Sequence, residues 1–227
     1  MIRQARFDNI FEMRRKRNIR LFTKSAYPSF KGFDETILKE NGMVLREVDP
    51  ERSKLFAGVA KGASQIGVRD GSSVLYLGAS HGYTPSFVSD IVGMKGRVYC
   101  LDVAPRVVRD LVFVCEQRDN MLPLLKDCRQ PQEYEDYVKE PVDVVFQDIA
   151  QPDQVDIFLK NCRSYLKRGG FGVLALKARS VDVTKKPSIV FKESFRQLER
   201  ADGFVVVDKR ELDPFEKDHI LFVVKRK

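Results

Sequence analysis

Two side chains of opposite charge stand where apolar strands end. Asp148 closes Val144-Val145-Phe146-Gln147-Asp148, and Lys177 closes the apolar run 172–176. Charges in such places are costly unless they face a cleft. A carboxylate and an ammonium on one cleft suit an acceptor that must give up a proton, such as a hydroxyl of high pKa. A base or a nearby cation helps that proton leave, and positioning supplies most of the acceleration. Structural readings stand beside this one: Asp148 as the N-cap of the next helix, Lys177 as a snorkelling lysine. His219 opens the last strand and Lys54 follows the N-terminal region, and residue type alone assigns a role to neither.

A second group of residues points to a cofactor. Leu77-Gly78-Ala79-Ser80-His81-Gly82-Tyr83-Thr84 joins a buried strand to a helix. Glycine in that turn lets the backbone at Gly78 and Ala79 approach a ligand closely at the carboxyl edge of a sheet. A dinucleotide site needs G-x-G-x-x-G, but positions 78, 80 and 83 are Gly, Ser and Tyr, so the pyrophosphate cradle is missing. S-adenosylmethionine carries no phosphate, and a looser turn suffices for its methionine moiety. Asp102 ends the second strand, where a carboxylate accepts both hydroxyls of an adenosine ribose; the other reading is a helix N-cap. Asp127-Cys128 ends the third strand, at the place where adenine is held. Their order on successive strand ends favours S-adenosylmethionine over a nicotinamide dinucleotide.

The elements that must position these residues follow from pattern. Up to about residue 50 the signals are short and strand-like: Ile19-Arg20-Leu21-Phe22 alternates, 27–32 reads as a turn region, and Asn41-Gly42 is a hairpin signal. They predict a small β-rich N-terminal domain over residues 1–50. Ser53 is the expected N-cap of a helix through Leu55, Phe56 and Val59 that Gly62 ends. From residue 71, strands at 74–77, 98–101, 122–125, 142–146 and 172–176 alternate with helical stripes. One helix is expected to open at Pro152 and close at Gly169-Gly170. Alternation at this spacing implies a parallel sheet covered on both faces. The segments 204–212 and 219–225 are joined too tightly for a crossover and must pair antiparallel. The expectation is an α/β fold of the class I S-adenosylmethionine-dependent methyltransferases. Its Rossmann-like, mostly parallel seven-stranded sheet ends in an antiparallel hairpin, over residues 51–227.

Composition bounds the reading. A chain of 227 residues, 43% hydrophobic and 32% charged, can bury a core without disulfides or structural metal. The four cysteines are widely spaced and there are only two histidines, so no metal site is expected and the thiols read as small apolar side chains. No apolar run is long enough for a membrane span, and Met1-Ile2-Arg3-Gln4 lacks the start of a signal peptide, so a cytoplasmic location is expected. The net charge of +8 is concentrated at the ends. Residues 1–31 hold nine Lys or Arg against Asp8 and Glu12, the last three positions are Lys225-Arg226-Lys227, and the remainder nets −2. Attraction to RNA phosphates and a plainly solvated basic surface fit this equally.

With these residues in view, the chain over roughly 43–227 resembles the fibrillarin family, in its archaeal type. The segments that carry the resemblance include Asp49-Pro50-Glu51-Arg52-Ser53-Lys54-Leu55, Ser89-Asp90-Ile91-Val92-Gly93, Ala150-Gln151-Pro152-Asp153-Gln154, Leu176-Lys177-Ala178 and Glu216-Lys217-Asp218-His219. The resemblance implies S-adenosyl-L-methionine-dependent 2′-O-methylation of ribose in ribosomal and sometimes transfer RNA. It implies a box C/D guide RNA, a Nop5-type scaffold protein and an L7Ae-type RNA-binding protein as partners. It places the family's charged catalytic group on Lys54, Asp148, Lys177 and His219. Its cofactor contacts fall on Tyr83, Thr84, Asp102, Val103, Asp127, Cys128, Asp148 and Gln151. Tyr83 stands where the family has Thr, Asp102 where it has Glu, and Cys128 where it has Ala; His81 and Pro85 also alter the turn. These differences bear on cofactor affinity and not on cofactor identity.

Three rivals remain at this point. A base or cap-ribose RNA methyltransferase would share the fold, but adenine N6 methylation usually shows an Asn/Asp-Pro-Pro-aromatic segment where this chain has Asp148-Ile149-Ala150-Gln151. A non-catalytic RNA-binding scaffold would keep the fold without using the charged set. A nicotinamide dehydrogenase fails on the glycine pattern. No module that reads RNA bases is recognisable, which fits an enzyme whose target is chosen by a guide.

Overall fold

The computed structural model describes residues 2–15, 18–30 and 32–227. Five antiparallel strands form the first sheet: β1 (Ile2–Gln4), β2 (Ile10–Arg15), β3 (Asn18–Lys24), β4 (Ile37–Glu40) and β5 (Met43–Val48), in the order β1-β2-β3-β5-β4. Asn41 and Gly42 are both left-handed (φ 51° and 75°) and make the two-residue hairpin between β4 and β5 that their types predicted.

Seven strands form the second sheet: β6 (Ser73–Leu77), β7 (Arg97–Asp102), β8 (Met121–Leu125), β9 (Val142–Gln147), β10 (Leu166–Lys177), β11 (Phe204–Glu211) and β12 (His219–Arg226). Their order is β11-β12-β10-β9-β6-β7-β8, with β6 to β10 parallel and β12 antiparallel to both of its neighbours. The mostly parallel sheet ending in a hairpin is thus present. The helices are α1 (Lys54–Ala60), α2 (Tyr83–Val92), α3 (Pro105–Cys115), α4 (Gln154–Tyr165), α5 (Ala178–Val181) and α6 (Pro187–Glu199).

One helix differs from expectation at both ends. α4 opens at Gln154, with Asp153 and not Pro152 before it, and stops at Tyr165. Leu166 fits the apolar stripe of a helix, but it pairs with Val142 and begins β10 instead. Gly169 and Gly170 then lie inside the strand, at the register shift between Leu166 and Phe171, where a bulge absorbs the extra residues.

The first sheet packs on one face of the second through α1 and α2. A single apolar cluster joins Ile10, Leu21 and Val48 of the small sheet to Phe56, Phe87 and Val144; a second fills the other face with Leu75, Val145, Phe158 and Phe222. A buried ion cluster crosses the seam. Asp90 of α2 accepts from Arg46 of β5 (2.7 Å), Arg118 (2.9 Å), Thr23 (2.8 Å) and the Ala26 amide (3.1 Å), and Arg46 also meets Glu35. The two guanidiniums lie over the Phe30 ring at 4.8 and 4.1 Å. The pairing and stacking offset much of the cost of burying these charges, although Arg118 Nε and Nη2 and Glu35 Oε2 have no hydrogen-bond partner among the described residues.

Candidate active site

The cleft forms where the strand order reverses, between the carboxyl ends of β6 and β9. Gly78 has φ +84°, and a Cβ built there would lie 2.1 Å from the backbone oxygen of Asp148. Only glycine lets the two strand ends close up, and the Asp148 amide donates to the Leu77 carbonyl at 2.9 Å. The cavity they border is about 250 Å³. Gly78, Asp102, Val103, Asp127, Cys128, Asp148 and Gln151, all expected from sequence, line it. Asp102 is held by the Ser80 amide (2.9 Å) and the Ala104 amide (3.1 Å). The residue in the N-cap position of α3 is Ala104, so Asp102 is not itself the N-cap, though its carboxylate binds the amide there. Asp127 is bound by Arg129 at 2.6 Å, and that contact holds its carboxyl below the usual range. Burial, with help from the Asp127 charge, pushes the Cys128 thiol up to about 11, so it stays neutral and packs as a small apolar group.

Three expected cofactor contacts lie elsewhere. Ala79 is buried and does not line the cavity. The Tyr83 ring turns toward the small sheet, edge-on to Phe33 at 5.1 Å and under the Arg52 guanidinium at 4.1 Å. Its hydroxyl accepts from the Asp49 amide at 3.1 Å. The Thr84 hydroxyl is buried and donates to Ser53 at 3.1 Å. Both residues begin α2, whose first turn packs on the start of α1, and that packing directs the side chains away from the cleft. Ser80, Lys126, Arg129, Ile149 and Ala150 line it without having been singled out. Lys126 and Arg129 flank the Asp127-Cys128 pair already marked, so widening each strand end by two residues would have found them.

Lys54 is the first residue of α1, whose N-cap is Ser53, as the sequence indicated. Its Nζ lies 3.1 Å from Asp148 and 3.6 Å from Glu216. Burial alone would depress this ammonium, but the two carboxylates outweigh it, and the net shift is upward. Lys54 is therefore a fixed cation at neutral pH. Glu216, from the Glu216-Lys217-Asp218-His219 segment, joins the cluster, with its carboxylate also 3.8 Å from His219. Its signal was its position three residues before that histidine. Asp148 is engaged by Lys54, and the N-cap of the helix that follows is Asp153.

His219 opens β12 directly opposite Lys177 in the ladder with β10. Burial pushes its imidazole below the ordinary 6.5, and the nearby Lys54 adds to this, so the ring is neutral at pH 7. Nδ1 lies 2.7 Å from the Lys217 carbonyl, which can only accept. The proton therefore sits on Nδ1, and Nε2 keeps its lone pair. Lys177 is exposed. Among the described residues, no group of three or more His, Cys, Asp or Glu is placed to hold a metal, and no helix is long and apolar enough to cross a membrane. At the basic N-terminal end, Arg3 and Arg14 pair with Glu12, and Arg20 pairs with Glu47. Lys16, Arg17 and Lys31, counted with that end, lie outside the described residues.

Known proteins share this fold. The Fibrillarin family model matches residues 1–227. A relative from Methanocaldococcus jannaschii, named fibrillarin-like rRNA/tRNA 2'-O-methyltransferase, is 46% identical over 218 residues, covering 96% of this chain and 94% of its own. A solved structure of Aeropyrum pernix fibrillarin with natively bound S-adenosyl-L-methionine superposes with a TM-score of 0.88 at 38% identity, covering 99% of this chain and 97% of that one. A fibrillarin/Nop5p complex gives a TM-score of 0.84 at 33% identity over 99% of this chain and 100% of that one. Matched along its whole length, with a class I methyltransferase sheet and a charged cluster at its switch point, the chain belongs to the fibrillarin family.

Proposed function

We propose that this chain methylates ribose 2′-hydroxyls of ribosomal, and in some cases transfer, RNA with S-adenosyl-L-methionine as donor. The observation that carries the reading is the ion pair of Lys54 with Asp148, which lines the Asp102–Asp127 cleft; Glu216 links Lys54 to His219, and Lys177 lies opposite His219 in the strand ladder. The cleft's donor set fits the cofactor. Asp102 presents a carboxylate for ribose hydroxyls, Asp127 and Cys128 offer a polar edge beside an apolar wall for adenine, and the close approach at Gly78 leaves room along the turn. Gln151 and Asp148 line the side toward β9. When bound, the cofactor supplies an electrophilic methyl group.

The chain's own residues then prepare the acceptor. Asp148 accepts the hydrogen of the ribose hydroxyl and orients its oxygen. Lys54 holds that carboxylate in place, with Glu216 holding the ammonium from the other side. Lys177 sets a positive charge beside the oxygen as its proton leaves. His219, neutral and with Nε2 unprotonated, is a second acceptor at the same edge.

The partners that the resemblance implies belong to the same proposal. A Nop5-type scaffold protein, an L7Ae-type RNA-binding protein and a box C/D guide RNA supply the address, in the cytoplasm, because the basic ends of the chain attract phosphates without reading sequence. The division into residues 1–50 and 51–227 is proposed likewise, supported by the two separate sheets. The test has two arms. Calorimetry is expected to show S-adenosyl-L-methionine binding to the isolated chain and no NAD binding; the reverse refutes the cofactor. Methyl incorporation at one defined ribose is then measured with guide RNA and partner proteins added singly and together. Efficient modification only with all components supports the guided reading, and site-specific modification by the chain alone overturns it.

A further inference from the structure

Two primary amides beneath Lys177 take no part in the chemistry above. Gln154, the first residue of α4, is fully buried. Its Oε1 accepts from the Lys177 amide at 3.1 Å, and its Nε2 donates to the Lys177 carbonyl at 3.2 Å. Gln147, the last residue of β9, is also fully buried, and its Nε2 donates to the Gln154 carbonyl at 2.7 Å. The Gln147 oxygen has no hydrogen-bond partner among the described residues. Two amides occupy space that apolar side chains could fill, at a desolvation cost.

The sheet explains what they gain. β9 and β10 pair only as far as Gln147 and Leu174, so β10 runs on for three residues with β12 on one side and no strand on the other. At Lys177 the backbone N–H and C=O on the open side both meet the one side-chain amide of Gln154. We infer that Gln154 is a positioning residue: it stands in for the missing strand and fixes the direction in which the Lys177 ammonium leaves the sheet, while Gln147 fixes Gln154. The inference rests on the proposed reaction, in which Lys177 acts on the acceptor oxygen.

The test is single-turnover methylation by the guide particle assembled with variants of this chain. Gln154→Met keeps the length of the side chain and removes both hydrogen bonds. A displaced catalytic group costs on the order of 100-fold in rate for about 1 Å, and a loss of that order is expected, with S-adenosyl-L-methionine affinity and the KM for RNA nearly unchanged. The decisive readout is coupling. Added to Lys177→Ala, Gln154→Met should lower the rate no further, because the group it positions is gone. A merely structural role would lower both backgrounds alike. Gln154→Glu serves if the Met variant does not fold: it retains an acceptor for the Lys177 amide but sets an oxygen against the Lys177 carbonyl, and the same loss and coupling are expected. A parental rate in Gln154→Met, or losses that add in the Lys177→Ala background, overturn the inference. Failure of the proposed reaction looks different, since the parental particle itself would then leave the target ribose unmethylated.

Discussion

Gly78→Ala separates two consequences of one glycine. At φ +84° an L-residue is strained by roughly 1–2 kcal/mol. For a chain of this size each kcal/mol lowers Tm by about 2–4 °C, so the strain predicts a drop of about 2–8 °C. Gly203 has nearly the same φ, +83°, but a Cβ there meets nothing within 4 Å. Gly203→Ala should therefore destabilise to a similar extent and do no more. At Gly78 the added carbon would lie 2.1 Å from the Asp148 carbonyl oxygen, where real Cβ contacts essentially never fall under 3.0 Å. The backbone that carries Asp148 must then retreat by roughly 1 Å, a displacement that costs on the order of 100-fold in rate, or about 2.7 kcal/mol of transition-state stabilisation. The assay is single-turnover methylation at saturating cofactor, with thermal unfolding of both variants alongside. Parental turnover in Gly78→Ala, or an equal loss of turnover in Gly203→Ala, would refute the argument that the close approach holds Asp148 in place.

Two further outcomes follow from charge. Asp90→Ala leaves the buried guanidiniums of Arg46 and Arg118 without their shared carboxylate and should cost about 3–5 kcal/mol; denaturant titration checks this, and a loss below about 0.5 kcal/mol, the range of ordinary surface changes, would contradict it. Because the folded His219 ring has a pKa below 6.5, the folded state takes up its proton later than the unfolded chain does. The stability it contributes is fully present above pH 6.5 and is lost as pH falls through the depressed value. His219→Asn should flatten the stability curve of the parent in that window, and identical curves would show that another group sets it.

The parallel strands were readable because strands buried on both faces are near-continuous apolar runs, and Val74 to Leu77 and Val142 to Phe146 are such runs. Asn41-Gly42 and Ser53 were readable because turn and cap chemistry is local. Asp102, Asp127, Asp148 and Lys177 could be marked as strand-end charges before any geometry was known. What escaped depends on contacts between distant segments. Leu166 suits a helix stripe and a strand equally, and pairing with Val142 decides the matter. The directions of Tyr83 and Thr84 are set by Asp49, Arg52 and Ser53 across the seam. Glu216 sits in a loop without periodicity, and only the meeting of α1 with the start of β12 brings it to Lys54. Gln154 looks from sequence like a helix-opening residue, because the backbone it grips belongs to another strand.

The mounting of Lys54 sets a limit on how this protein can change over evolutionary time. Asp148, Lys177 and His219 ride on the ends of the larger sheet, but the Lys54 ammonium sits on the first turn of α1, which packs against both β3 and β12. The turn before it is pinned through Asp49, Arg52 and Ser53 to the start of α2. A lineage that shed the small sheet would retain a cleft lined by Gly78, Asp102 and Asp127, but would lose the support that aims Lys54 at Asp148. The small sheet is thus no interchangeable accessory: it can drift only as far as α1 stays in place, and a graft from an unrelated protein would have to rebuild that support before it could inherit the activity.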